Sequence, residues 1–315
     1  MGLYPHLITE YLTALQIPRG PDSNVYLVDT EEGDDNNIGD RFNLPLKTLA
    51  EAEDRCVADQ HDVVLFLARA TADNPAAEIA WDKDYTHLCG LGPTLYGVGQ
   101  RSRVVAAAAT ALLSTITFSG DGCIVKNMQF GNEKAAGVAA GVATITGQRC
   151  YFQNVFFMVP FATDAASYSL KLSGGENTFV RCSIGQTTAA RAAASYGLWM
   201  YKGAGNNQRN KFVKCEFRSW ADVPGAGHVH VYVDVDIDNE GWTQQFEDCL
   251  FLHLNGGSDL TQAIDDNCAT AHHMIVLRGH NAFAGATTIA DDFANFFAAD
   301  YATAFKGGLM STAID

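Results

Sequence analysis

The sequence has no Cys-x-x-Cys pair among its eight cysteines, which removes zinc ribbons and related closed metal folds from consideration. It also lacks a glycine-rich phosphate loop, a dinucleotide fingerprint, a nucleophile elbow and a zinc-protease helix, so the common motif-borne chemistries are missing. No apolar run approaches the length of a transmembrane helix. The first thirty residues have neither the basic start nor the unbroken apolar stretch of a signal peptide, and assembly in a cytoplasm is the expectation. Charge is scarce as well. Charged residues make up 18% of the chain, and 21 basic against 36 acidic side chains leave a net charge of −15. Such a surface repels phosphate backbones and anionic lipid, so neither nucleic acid nor membrane is expected as a partner.

What is present is a repeat. An apolar or aromatic residue followed three positions later by Asn or Cys recurs as Ile124–Asn127, Tyr151–Asn154, Phe179–Cys182, Phe212–Cys215 and Phe246–Cys249, at spacings of 27, 28, 33 and 34 residues. Repeats of this length in β-type sequence imply a solenoid, because one coil cannot bury its own apolar face and a stack of coils can. A hydrophobic content of 47% over 315 residues supplies a continuous core. The recurring Asn127 and Asn154 suit corners where a side-chain amide bonds its counterpart one coil away. Phe179, Phe212 and Phe246 should form an internal stack, and Cys182, Cys215 and Cys249 a ladder of buried thiols acting as small hydrophobes. Cys123 and Cys150 share a second repeat position.

Between about residues 62 and 290 β-type runs come in pairs, such as SLKLS before Thr178 to Ile184 and GLWMY before Lys211 to Phe217, with Gly- and Asn-rich turns between them. Parallel strands joined by crossovers give right-handed connections. The fold class expected is therefore all-β, a right-handed parallel β-helix solenoid with a short N-terminal arm and a capping helix. Residues 1–44 form the arm and an acidic loop for docking or anchoring. Residues 45–290 hold the capping helix and the β-helix, with DVVLFLA (residues 62–68) as the first strand. Residues 291–315, rich in Ala and Phe, form a C-terminal cap or an oligomer contact. In the helix, Leu46, Leu49, Ala52 and Cys56 fall on one face, and Thr48 with Glu51 suggests a capping box. In the arm, Tyr4, Leu7, Ile8, Tyr11, Leu12 and Leu15 recur at helical spacing, and this apolar stripe must dock on the chain's own solenoid or into a partner.

Chemistry is concentrated in HVHVYVDVDID (residues 228–238). Alternation places His228, His230, Tyr232, Asp234, Asp236 and Asp238 on one face and the valines on the other. Three carboxylates spaced by two need a cation or a basic partner. Asp234, Asp236 and Asp238 are thus the candidate metal ligands, and Ca²⁺ the candidate ion, although Asn239 and Gln245 depart from a calcium loop. The same run also reads as a solvated strand face, a subunit contact or an acid site. Lys126, Arg181, Lys214 and Asp248 recur at what look like matching positions and suit a solvated strand surface or an acidic-glycan ladder. Trp199, Tyr201, Trp220 and Trp242 suit either packing or sugar stacking. No catalytic residue and no cofactor-binding residue is identified.

The turn-rich acidic loop GDDNNIGDRFNLPLKTLAEA, the run DVVLFLA after it, and the coils with Asn and Cys ladders resemble pectate-lyase-like β-helix proteins encoded by tailed bacteriophages, over roughly residues 33 to 290. The resemblance implies a virion protein, commonly a homotrimer. It implies a non-enzymatic structural role such as capsid decoration, with the major capsid protein or another virion protein as partner. The alternative it carries is a tailspike-like polysaccharide lyase or hydrolase, or a polysaccharide-binding protein.

Overall fold

Between Ile124 and Ala290 each coil is made of three strands, not two, because a single left-handed residue splits what reads as one long run. Thus Thr178–Val180 and Ser183–Ala190 flank Arg181, and Asn210–Val213 and Glu216–Ala221 flank Lys214. The computed structural model describes residues 10, 12–92, 102–110, 112–133, 140–158, 166–190, 194–202, 207–221, 227–234, 242–255, 259–267, 273–290 and 296–298. Its strands form three sheets of ten, seven and eight strands. All the pairings between them are parallel, each strand joined to its counterpart one coil on (for example Phe152 with Phe179 and Phe179 with Phe212). The chain is an all-β parallel β-helix.

Strand pairing corrects the repeat's register. Asn127, Asn154, Arg181, Lys214 and Asp248 share one position, all with φ between 52° and 55°. The cysteine rung lies one residue later, where Cys182, Cys215 and Cys249 continue from Val155. Lys126 pairs with Gln153 and so is not a rung partner of Arg181. Asn tolerates the left-handed corner at low cost, and the Asn154 amide donates to Asn127 Oδ1 at 3.1 Å. Arg181 and Lys214 hold the same corner without that bond. Their backbone N–H groups donate to the Val213 and Glu247 carbonyls at 2.9 and 2.8 Å, as those of Asn127 and Asn154 do to the Gln153 and Val180 carbonyls.

The interior is layered by register. Phe152, Phe179, Phe212 and Phe246 stack face to face, with ring centroids 4.9, 4.6 and 5.0 Å apart. A second stack, absent from the sequence reading, runs Phe217–Phe251–Phe283 at 4.7 and 4.4 Å. Cys56, Cys89, Cys123, Cys150, Cys182, Cys215 and Cys249 are buried thiols, none of them in a disulfide. At the turns after the third sheet, Asn177 and Asn210 are fully buried. Each accepts a backbone N–H from the preceding coil and donates to a carbonyl (Gly147 and Gly174), which satisfies the corner's polar groups.

The solenoid starts earlier than DVVLFLA. Val25–Val28 is its first strand and pairs with Val63–Phe66. The run VYLV is too short to stand out in the sequence, and its partner lies beyond an intervening loop and helix. That helix, Leu49–Arg55, begins after Pro45 and not at it. Thr48 accepts the Glu51 N–H at 3.2 Å, but the Glu51 carboxylate turns to Arg55, so only half of the capping box forms. Leu46, Leu49, Ala52 and Cys56 are all buried against the end of the core.

On the outer side of the ten-stranded sheet, Leu12 and Ile17 are buried against Leu27, Val63, Leu65 and Cys89, with Leu15 alongside. The Lys126 ammonium donates to the Leu15 carbonyl. This part of the arm packs on the chain's own solenoid. Tyr4, Leu7, Ile8 and Tyr11 lie outside the described residues, as does the chain beyond Ala298. No helix among the described residues is long and apolar enough to cross a membrane.

Candidate functional site

The eight-stranded sheet carries an interlocked group of outward side chains. Its middle strands are Gly141–Ile145, Tyr168–Leu172, Tyr196–Met200 and Val229–Val233, followed by Leu260–Asp266. Leu170, Leu172, Leu198, Met200, Val231 and Val233 point into the core. The alternate positions therefore face out, and register lines them up as Thr117, Thr144, Lys171, Trp199, Tyr232 and Asp265 on successive coils. At the ~4.8 Å strand spacing these six rungs span about 24 Å.

The aromatic side chains on this face interlock. Trp199 makes an edge contact with Tyr168 at 5.7 Å and packs against Tyr196 at 5.4 Å and Tyr201 at 6.1 Å, while Tyr196 stacks on Tyr232 at 4.2 Å. The Lys171 ammonium lies over Trp199 and Tyr201, 4.1 and 4.0 Å from their centroids. Burial among these rings lowers the Lys171 pKa, and the negative charge of Asp234 opposes the shift. Asp234 fixes the indole, accepting its N–H at 3.0 Å. Tyr232 is pushed up to about 12, first by burial and then by Tyr196, Asp234 and Asp265. Tyr168 lies flat because the preceding coil offers Gly141. A Cβ there would come within 2.1 Å of the tyrosine ring. Its hydroxyl meets Thr144 Oγ1 at 3.1 Å.

Of the aromatics singled out in the sequence, Trp199 and Tyr201 belong to this face. Trp220 sits on the seven-stranded sheet opposite Leu254, and Trp242 on the ten-stranded one, so the four do not form one platform. Tyr168, Tyr196 and Lys171 were missed. Their signal was the shared strand pattern of YSLKL and YGLWM, in which the first and fourth residues face outward together.

The run from His228 departs from strict alternation. Tyr232 and Asp234 face out, but His228 and His230 are buried. Two consecutive residues turn inward at this point, His230 with Val231, as do Ser169 with Leu170 and Val142 with Ala143 on earlier coils. The irregularity repeats because the pairing skips these positions. Inside, Ser195 Oγ and His228 Nδ1 are 2.8 Å apart, and His230 lies against Phe251. Burial, reinforced by His253, lowers the His230 pKa to about 3. Of the candidate metal ligands, Asp234 is engaged by Trp199, while Asp236 and Asp238 lie outside the described residues. Among the described residues no group of three or more His, Cys, Asp or Glu side chains is disposed to hold a metal ion.

A concavity of about 320 Å³ lies between the arm and the asparagine corner and is lined by Leu15, Lys126, Asn127, Gln153 and Asn154 among others. It is open and polar, and its one cationic group is already bonded to the arm.

No protein-family model matches the sequence, and no curated protein matches it. Solved structures do match. Pectin methylesterase PemA from Erwinia chrysanthemi superimposes with a TM-score of 0.57 at 14% identity, over 87% of each chain. The pectin methylesterase from Aspergillus niger gives 0.55 at 13% identity, over 95% of this chain and 94% of that one. A rhamnogalacturonan lyase gives 0.53 at 15% identity, over 85% of this chain and 68% of that one. The likeness is one of fold. At these identities the coil architecture is shared, and the chemistry has to be read from this chain's own residues.

Proposed function

We propose that this chain is a polysaccharide-binding β-helix protein that holds an extended glycan along the outer face of its eight-stranded sheet. The observation that carries this is the Trp199 cluster. It joins five aromatic side chains with one cation and two carboxylates on four consecutive coils of a rigid sheet, a stretch of about 14 Å at the ~4.8 Å strand spacing. Aromatic rings stack on the C–H faces of sugars, and hydrogen-bonding groups around them select hydroxyls. The coil spacing is close to the repeat of an extended sugar chain. Two of the structures sharing the fold are complexes of pectin methylesterase with hexasaccharides, which suits the same class of ligand. The proposal is one of binding, because Asp234, the carboxylate nearest the rings, is committed to the indole N–H.

The capsid-decorating role implied by the sequence resemblance rests on the arm as a docking element. Leu12 and Ile17 are covered by the chain's own sheet, so attachment to a particle would fall to residues before Leu12. Virion location and a trimer fit the glycan-binding reading equally well and stay with it as parts of the proposal.

The test is binding of the full chain to immobilised polysaccharides, comparing the native protein with Trp199→Ala. Loss of a central tryptophan is expected to weaken retention at least tenfold, in keeping with the ~2 kcal/mol typical of such anchors. Binding indifferent to this substitution, or no binding to any glycan, refutes the reading.

A further inference from the structure

We propose that the glycan held on this face is uncharged, and that Asp234 and Asp265 select against uronic-acid chains. This deepens the glycan-binding reading and depends on it.

Lys171 is the cation of this face, half-buried and seated over the rings. Its ammonium lies 4.1 Å from the Trp199 centroid, 4.0 Å from Tyr201 and 5.9 Å from Tyr168. A uronate would have to draw that charge off three rings. The carboxylates are placed the other way. Asp265 stands in register with Tyr232 on the outward line, and Asp234 lies two residues beyond Tyr232 with Oδ2 on the Trp199 indole. Both lie close enough to Tyr196 and Tyr232 to raise the cost of ionising either phenol. At the start of the line, Thr117 donates its hydroxyl to Glu78. The line thus carries a cation committed to rings at its centre and carboxylates at and towards both ends. A chain bearing a negative charge on every sugar would meet these acids at close range, and the net charge of −15 adds repulsion at longer range. An uncharged chain meets acceptors instead. Asp234 keeps a second oxygen, and sugar hydroxyls can donate to it without disturbing the indole bond.

The sharing of a fold with pectin-modifying proteins therefore does not carry over to the charge of the ligand. The inward ladders that build the coil are independent of the outward side chains, so one fold can present either polarity.

The experiment uses the full chain against a panel of immobilised uncharged polysaccharides (glucan, mannan, galactan, xylan) and uronic-acid polysaccharides (polygalacturonate, alginate, hyaluronan), at low and at physiological salt. At least one uncharged member is expected to be retained tenfold or more better than every uronate, with little change on adding salt. Asp265→Asn, which leaves the Asp234–Trp199 bond in place, is expected to narrow the ratio at least threefold by improving uronate binding. Uronate binding that is stronger than uncharged binding, and that fades with salt, overturns this inference while leaving the glycan-binding reading standing. Absence of binding to every member of the panel removes both.

Discussion

Consider replacing His230 by leucine and following urea unfolding between pH 7 and pH 5. His230 is 1% exposed, and neither ring nitrogen has a hydrogen-bond partner among the described residues. Its surroundings are Phe251 and the imidazoles of His228 and His253, none of which offsets a positive charge. Burial therefore keeps the folded ring neutral down to about pH 3, whereas an unfolded histidine protonates near 6.5. The unfolded state binds the extra proton, so the stabilising contribution is complete above pH 6.5 and is lost as pH falls towards 3. At pH 5 the loss is about 2 kcal/mol for His230. His87, lowered to about 3 by burial and then by His61, adds about 2 kcal/mol more by the same reckoning. Asp73 works the other way. Burial raises it to about 6, so its folded form takes up a proton first and recovers about 1.4 kcal/mol at pH 5. Together the three groups predict a net loss of roughly 2–3 kcal/mol between pH 7 and pH 5, a large share of ordinary domain stability. The leucine variant should lose about 2 kcal/mol less over that interval, and at pH 7 it should be at least as stable as the parent. An identical pH slope in the two proteins would show that His230 is not held neutral in the core.

Three further outcomes are expected. Phe212→Ala, in the middle of the aromatic stack, should cost about 3–5 kcal/mol in urea or guanidinium unfolding, and a loss below about 1 kcal/mol would contradict the stacked core. Gly141→Ala should force the Tyr168 ring off the sheet, costing about 1–3 kcal/mol and weakening glycan retention, with the two effects measured on the same preparation. In the native protein a thiol reagent should label at most one cysteine per chain rapidly, since the seven described thiols are buried and Cys268 alone lies outside the described residues. Fast labelling of several would mean that the ladder is open to solvent.

How legible was this in the sequence? The β-helix followed from the repeat because coil stacking forces equal residues onto equal positions, and Phe179, Phe212 and Phe246 obey that rule without exception. The register did not follow. Asn127 and Asn154 mark a backbone conformation, whereas Cys182, Cys215 and Cys249 mark a buried side chain one residue later, and treating both as one signal slipped the count by one. Arg181 and Lys214 hide the corner because nothing in a long charged side chain advertises a positive φ. The third strand of each coil was hidden for the same reason. His230 was placed on the wrong face because alternation assumes an unbroken strand, and the inward pair at Val142–Ala143, Ser169–Leu170 and His230–Val231 is a local irregularity with no residue type of its own. Lys171 was invisible as a site residue until Trp199 and Tyr201 were known to flank it on neighbouring positions.

The face and the core are two readings of the same strands, and this sets how they respond to change. Leu170, Leu172, Leu198, Met200, Val231 and Val233 fix the register from inside, while Lys171, Trp199 and Tyr232 occupy the alternate positions outside. A substitution at an inner rung shifts every outward neighbour with it, because interiors at native density transmit displacement. An outward substitution leaves the inner stack untouched. Trp199→Ala should therefore lose ligand with little loss of stability, whereas Phe212→Ala should lose stability and, through register, some binding as well. That asymmetry separates a site built on a scaffold from an aromatic cluster that merely holds the scaffold together, since a structural Trp199 would cost several kcal/mol on truncation, as buried aromatics do.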